Sequence, residues 1–196
     1  ARARCTTSLA KAARLRGGLK LPEGAPNSLN VDHVVKDPVP SAFPNGCHVA
    51  EVEVDPDTRA AQVVRYSAVN DLGTIVNPLL VEGQIQGGVV QGLGQALLEN
   101  AVYDSDGQFV TGSFMDYAMP RAHDVPMINV LSHPVPTKSN PLGAKGCGEA
   151  GTSGGLPSVA NAVIDALSEY GIRHLEMPMT PARIWQAIQD AKAKRA

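Results

Sequence analysis

Between Asn77 and Asn100 the chain encodes a helix that could not survive alone. Asn77 followed by Pro78 is an N-cap with proline at the first helical position. The stretch LLVEGQIQGGVVQGLGQALL, residues 79 to 98, then carries Gly83, Gly87, Gly88, Gly92 and Gly94. Each glycine costs up to ~1 kcal/mol relative to alanine in a helix interior, so tertiary contact has to offset the loss. Glycines four and five residues apart let a second backbone approach closely. The same bare surface would also accept a bulky ligand, with Gln84, Gln86 or Gln91 supplying neutral donors and acceptors. The pattern is compatible with both uses and does not choose between them. Glu82 and four glutamines make the stretch too polar to span a bilayer, despite its GxxxG spacings.

Residues 3 to 16 alternate Ala and Leu with Arg and Lys at helical spacing, and 17 to 44, rich in Gly, Pro and Asn, read as an irregular connection. HVAEVEVDPDTRAAQVVRYSAVNDLG (48 to 73) gives two alternating runs about a DPDT turn, the pattern of a β-hairpin. YDSDGQ (103 to 108) marks another turn, and MINVLSHPV (127 to 135) reads as a strand. LPSVANAVIDALSEYG (156 to 171) is helical, with Leu156, Val159, Val163, Ile164 and Leu167 on one face and Gly171 as its end. Thr180 and Pro181 open a last helix, expected to run to the C-terminus. Strands and helices mix without a βαβ repeat. That predicts an α+β fold: hairpins and a mixed sheet with packed helices. The expected division is an N-terminal helix and connection over residues 1–42, then one domain over 43–196.

A formal net charge of −2 recommends neither nucleic acid nor an anionic membrane as a partner. Basic clusters at Arg2 to Arg16 and Lys192 to Arg195 are solvated helix faces on this reading. Cys5, Cys47 and Cys147 form neither a disulfide framework nor a CxxC pair, which favours a reducing compartment. No apolar run follows the first basic residues, so a signal peptide is not expected. The chain starts without methionine inside a helical pattern, as expected of a fragment or a processed chain. His33, His48, His123, His133 and His174 show no HxxxH or HExxH spacing, so no protein-ligated zinc is expected.

One stretch concentrates the chemistry. NPLGAKGCGEAGTSGG, residues 140 to 155, plants a single carboxylate, Glu149, among six glycines. It looks like a phosphate cradle, yet GxxxxGK[ST] is absent and no GxGxxG opens a helix after a strand. Glu149 reads either as an exposed or capping acid, with Lys145 as a ready partner, or as a general base held where glycines let a ligand come close. Cys147 has no histidine placed to activate it and reads as a packing cysteine. Asp71 reads as a turn or cap residue. For Asp116 and Tyr117 in SFMDYAMPRA, structural and site-lining roles both stay open.

VNDLGTIVNPLLVEGQIQGGVVQGLGQALLE, GSFMDYAMPRA and NPLGAKGCGEAGTSGGLPSVANAVIDAL together resemble one family, in the right order, from Phe43 onward. It is the molybdenum-binding large subunit of the xanthine dehydrogenase, aldehyde oxidase and aerobic carbon monoxide dehydrogenase group. FPNGCHVAEVEVDPDT and MPMTPARIWQAI match it as well. The resemblance implies a molybdenum hydroxylase whose metal is held by molybdopterin, in bacterial members as the cytosine dinucleotide, and needs no protein ligand. Glu149 falls on the glutamate of the family's KGxGE motif. The implied role is to take a proton from the metal's hydroxyl ligand, so that its oxygen attacks an electrophilic carbon, with water as the ultimate oxygen source. Gln84 falls on the glutamine of a GQ-x-x-G segment and is implied to hydrogen-bond the cofactor. Lys145, Gly146, Cys147 and Gly148 are implied to line it mainly as backbone.

The implied partners are the remainder of the large subunit, an iron–sulfur subunit carrying [2Fe–2S] clusters and an FAD subunit, in a cytoplasmic oligomer acting on an aldehyde, N-heterocycle or similar small molecule. The copper-bearing cysteine of carbon monoxide dehydrogenases belongs to an upstream loop, so Cys147 is not its counterpart. Large subunits of this family are much longer, and the likeness covers only their C-terminal part. The alternative is a folded assembly domain without activity of its own.

Overall fold

The computed structural model describes residues 40 to 194. The helix expected at 3 to 16, most of the connection at 17 to 44, Cys5, His33 and Arg195 lie outside the described residues. Strand β1 (Asn45–Val54) and strand β2 (Ala61–Asp71) form the antiparallel hairpin, and β3 (Ile128–Ser132) joins β2 in parallel. The sheet order is β1-β2-β3. Helices α1 (Pro78–Leu97), α2 (Ala150–Ala166) and α3 (Pro181–Ala193) complete the α+β architecture. Asn77 and Thr180 cap α1 and α3, accepting from Leu80 N and Arg183 N, with proline following each cap. The last helix stops at Ala193 rather than running to the end.

The hairpin contains one irregularity that decides what faces inward. Glu51 pairs with Arg65 but Val52 pairs with Val63, so Val64 is an extra residue in β2. Val63 and Tyr66, three apart, would face opposite sides of a regular strand. The bulge turns both into the core, where they are 2% and 1% exposed. Ala68 and Asn70 continue the inward row beyond Tyr66.

On α1, Ile85, Val89, Leu93 and Ala96 are fully or almost fully buried, and Val159 and Val163 of α2, with Leu167 at its C-cap, join them in the core. Leu156 and Ile164, expected on that face, are only half-buried. The helix begins at Ala150, six residues before the expected start, so much of the glycine run is helical. The physical reason is the seam between α1 and α2. A Cβ at Gly88 would lie 2.7 Å from Thr152 N, and one at Gly155 would lie 3.0 Å from Val89 Cα. A Cβ at Gly151 would run into the Ile85 carbonyl oxygen. Low intrinsic propensity is overridden here by close backbone packing. Pro157, in the second turn of α2, simply gives up one intrahelical hydrogen bond. Gly171, in the left-handed region at φ 79°, ends the 3₁₀ turn after α2.

Candidate active site

The loop that carries Glu149 is tied down at both ends. Lys145 N–H donates to Leu72 O at 2.9 Å, while Thr74 N–H and Thr137 N–H both donate to Gly143 O at 3.0 Å. Asn140 Nδ2 donates to Ala144 O at 2.8 Å and its Oδ1 accepts from Ala144 N. On the helix side, Gln84 Nε2 donates to Gly148 O at 2.9 Å. The sequence-predicted Gln84 and the residue before Glu149 are thus brought together across 64 positions. Gln91 instead accepts from Thr152 Oγ1 of α2, and Gln86 donates to Glu82 on its own helix.

Lys145 does not pair with Glu149. Its Nζ bonds Asp71 Oδ2 at 2.6 Å, with both side chains largely buried. Asp71 Oδ1 also accepts from Val135 N at 2.9 Å and Gly73 N at 3.0 Å. The Lys145 bond, then these two backbone donors, hold the Asp71 carboxyl far below the usual carboxylate range. Asp71 does make a turn, but it also clamps β2, the segment after β3 and the glycine loop together. Cys147 is half-buried against the core. Asp116 accepts from Ser113 Oγ, and Tyr117 donates to Glu99 Oε2 at 2.9 Å, so both stay at the far end of α1.

Glu149 itself is exposed and occupies the N-cap position of α2 without capping it through its side chain. Among the described residues its carboxylate takes no hydrogen bond or ion pair. It borders a cleft of about 440 Å³ whose walls include Gly46, Gly146, Gly148 and Gly154. A Cβ at Gly146 or Gly148 would meet nothing within 4 Å, as would one at Gly83 or Gly87. Opposite the loop stand His48 and Asn70, which the sequence reading missed. His48 Nδ1 is 2.7 Å from Tyr66 Oη, Tyr66 Oη is 2.9 Å from Ser158 Oγ, and His48 Nε2 is 3.3 Å from Asn70 Oδ1. Burial raises the Tyr66 hydroxyl above its ordinary pKa, against the opposing Ser158 bond, so it stays protonated. Strand alternation was the available signal, because Asn70 is a polar residue in the inward row of Tyr66 and Ala68.

Comparison with known proteins decides the family. The molybdopterin cofactor-binding domain family matches residues 8–126, beginning upstream of the Phe43 boundary. The chain is 38% identical over 155 residues to the 6-hydroxypseudooxynicotine dehydrogenase complex subunit gamma of Paenarthrobacter nicotinovorans, covering 78% of this chain and 19% of the relative. It belongs to the molybdenum hydroxylase large-subunit family. The carbon monoxide dehydrogenase large chain of Hydrogenophaga pseudoflava is 33% identical over 169 residues, 86% of this chain and 21% of that one. Quinoline 2-oxidoreductase from Pseudomonas putida 86 superposes with a TM-score of 0.78 at 39% identity, covering 92% of this chain and 22% of that chain. This hydroxylase-family chain therefore spans about a fifth of the length of the relatives it matches.

The residues present suit a pterin-bound metal. The cleft has bare glycine walls, a free carboxylate and, in Asn70 Nδ2, a buried donor with no partner among the described residues. Among the described residues no three His, Cys, Asp or Glu side chains converge. This wall offers hydrogen-bonding groups and an unpaired carboxylate rather than a ligand set.

Proposed function

We propose that the chain forms the base-bearing wall of the molybdenum site of a hydroxylase that oxidises an aldehyde, N-heterocycle or similar small molecule. The observation that carries this reading is Glu149, an unpartnered carboxylate at the mouth of a glycine-walled cleft, on a loop held by Gln84 and Lys145. When bound, the molybdenum–pterin group, as the cytosine dinucleotide, supplies the two-electron oxidation and oxygen transfer. The protein's residues do the rest. Glu149 takes the proton of the attacking oxygen onto an Oε atom, a contribution of typically ~10²–10⁴ in rate. Gln84 holds the loop through Gly148 O and presents its remaining amide valence to the cofactor. Gly146 and Gly148 leave the space, and Cys147 contributes backbone while its side chain packs inward. Lys145 acts as an anchor whose charge is spent on Asp71.

The remainder of the large subunit supplies the opposite wall, and [2Fe–2S] and FAD partners in a cytoplasmic oligomer carry the electrons away. Val76, Leu79 and Leu80, around the first turn of α1, are 77%, 78% and 68% exposed, a surface that suits such a neighbour. The domain proper starts at Phe43 on this reading. No helix among the described residues is long and apolar enough to cross a membrane. The test is elemental and nucleotide analysis of the native assembly, with assays on aldehydes and N-heterocycles. Molybdenum, a pterin and hydrolytically released CMP are expected. An assembly free of molybdenum sinks the reading. Because one wall cannot bury a pterin dinucleotide, residues 1 to 196 alone should bind no metal and turn nothing over.

A further inference from the structure

We propose that the outer face of the sheet, at its cleft end, packs permanently against the remainder of the large subunit. The proposal rests on the reading that a longer subunit completes this chain. Cys47, Val69 and Leu131 stand side by side across β1, β2 and β3, because Cys47 pairs with Val69 and Val69 with Leu131. Next to them along the strands, Ala68 is buried and Val130 packs against the core. Strand alternation therefore points the Cys47 row away from the helices. Cys47 is exposed, and Val69 and Leu131 are 36% and 51% exposed. Val49, the next outward residue of β1, is 55% exposed.

A sheet face that meets water normally carries polar residues at its outward positions. The far end of this face obeys, since Arg65 donates to Glu51 there at 3.0 Å. The cleft end does not. Cys47 follows directly on Asn45 and Gly46, which line the cleft, and its row is wholly apolar. β2 and β3 also run parallel, a pairing usually found with both faces covered. The helices cover one face only. An uncharged row suits permanent packing better than a contact that forms and dissociates. The chain spans about a fifth of its relatives' length, so most of such a subunit lies outside it. The patch adjoins the cleft whose opposite wall is assigned to that same portion.

The test uses the full-length large subunit, in its native complex and separated from its partner subunits. Labelling of Cys47 by N-ethylmaleimide is followed by peptide mass spectrometry, with the urea-unfolded subunit as reference. Cys47 should label at least about ten-fold more slowly in the native complex than in the reference. It should stay equally slow in the separated subunit, at a concentration where light scattering finds monomers. Fast labelling in the native complex overturns the proposal. Protection that disappears on separation also overturns it, because a second copy or another subunit then supplies the cover. Leu131→Glu should lower the thermal midpoint of the separated subunit by several degrees, since it buries a charge. Met127→Glu, just before β3 at the polar end and 91% exposed, should leave the midpoint unchanged. A midpoint unmoved by Leu131→Glu overturns the proposal. If that variant does not fold, the labelling of the wild type decides. Molybdenum is measured in the same preparation. A complex without it removes the proposed function, whereas a loaded complex with freely labelled Cys47 removes only this surface.

Discussion

Gly87 and Gly92 lie on the same helix, less than two turns apart, and do opposite things. A Cβ at Gly92 would lie 2.5 Å from Leu156 N, whereas one at Gly87 would meet nothing within 4 Å. Gly88 belongs with Gly92 in the α1–α2 seam, and Gly83 belongs with Gly87 on an open surface. The same contrast runs through the loop that became the start of α2. Gly151 and Gly155 are crowded by α1, while Gly146 and Gly148 stand over empty space. Glycine is thus used once to close a gap between backbones and once to leave a gap for something else. The second use borders Gln84 and Glu149.

The sharpest test of the open side is Glu149→Gln in the complete enzyme. Turnover should fall by at least ~10²–10⁴-fold while fold and bound molybdenum persist. Near-wild-type rates in a fully loaded variant would mean that the open side carries no base. Asp71→Asn comes next, because it strands the Lys145 ammonium, which is 9% exposed. Its thermal midpoint should drop further than that of any seam variant. The sign with pH follows from the depressed Asp71 pKa. The clamp stabilises fully above the unfolded carboxylate value of about 4 and weakens as acid is added below it. Acid titration of the wild type should show this loss, and Asp71→Asn should lack that component.

Within the seam, Gly92→Ala should destabilise by about 1–3 kcal/mol, the usual cost of overpacking. A denaturation midpoint unchanged by it would show that the seam is looser than the geometry implies. On the open side, Gln84→Ala should lower cofactor occupancy several-fold, the order of one lost hydrogen bond, where Gln108→Ala changes nothing. Equal effects at the two positions would reduce Gln84 to a packing residue. Smallest of all, Gly87→Ala should stabilise the apoprotein by up to ~1 kcal/mol. In the loaded enzyme the same methyl should reduce occupancy if the cofactor lies against this face.

The secondary structure was readable wherever local chemistry has a strong preference. Asn77-Pro78 and Thr180-Pro181 announced two helices because cap and proline act within a single turn. The alternating runs about DPDT announced the hairpin for the same reason. The start of α2 was not readable. Gly151 and Gly155 favour a loop on propensity, and it is α1, more than sixty residues away, that makes them helical. Lys145 illustrates the same limit, since its nearest sequence partner, Glu149, lost to Asp71, 74 positions distant.

The sequence by itself determined the α+β class, the family and the identity of the lone acid, because each is written in short spans of capping, alternation and motif. Tertiary structure alone decided which glycines are filled and which are open. It also decided that Lys145 is spent on Asp71, leaving Glu149 free. The bulge at Val64, finally, carries Tyr66, Ala68 and Asn70 inward together, so that a buried amide ends up facing the cleft. Those outcomes depend on which backbone stands opposite a residue, and that is settled only when distant elements pack.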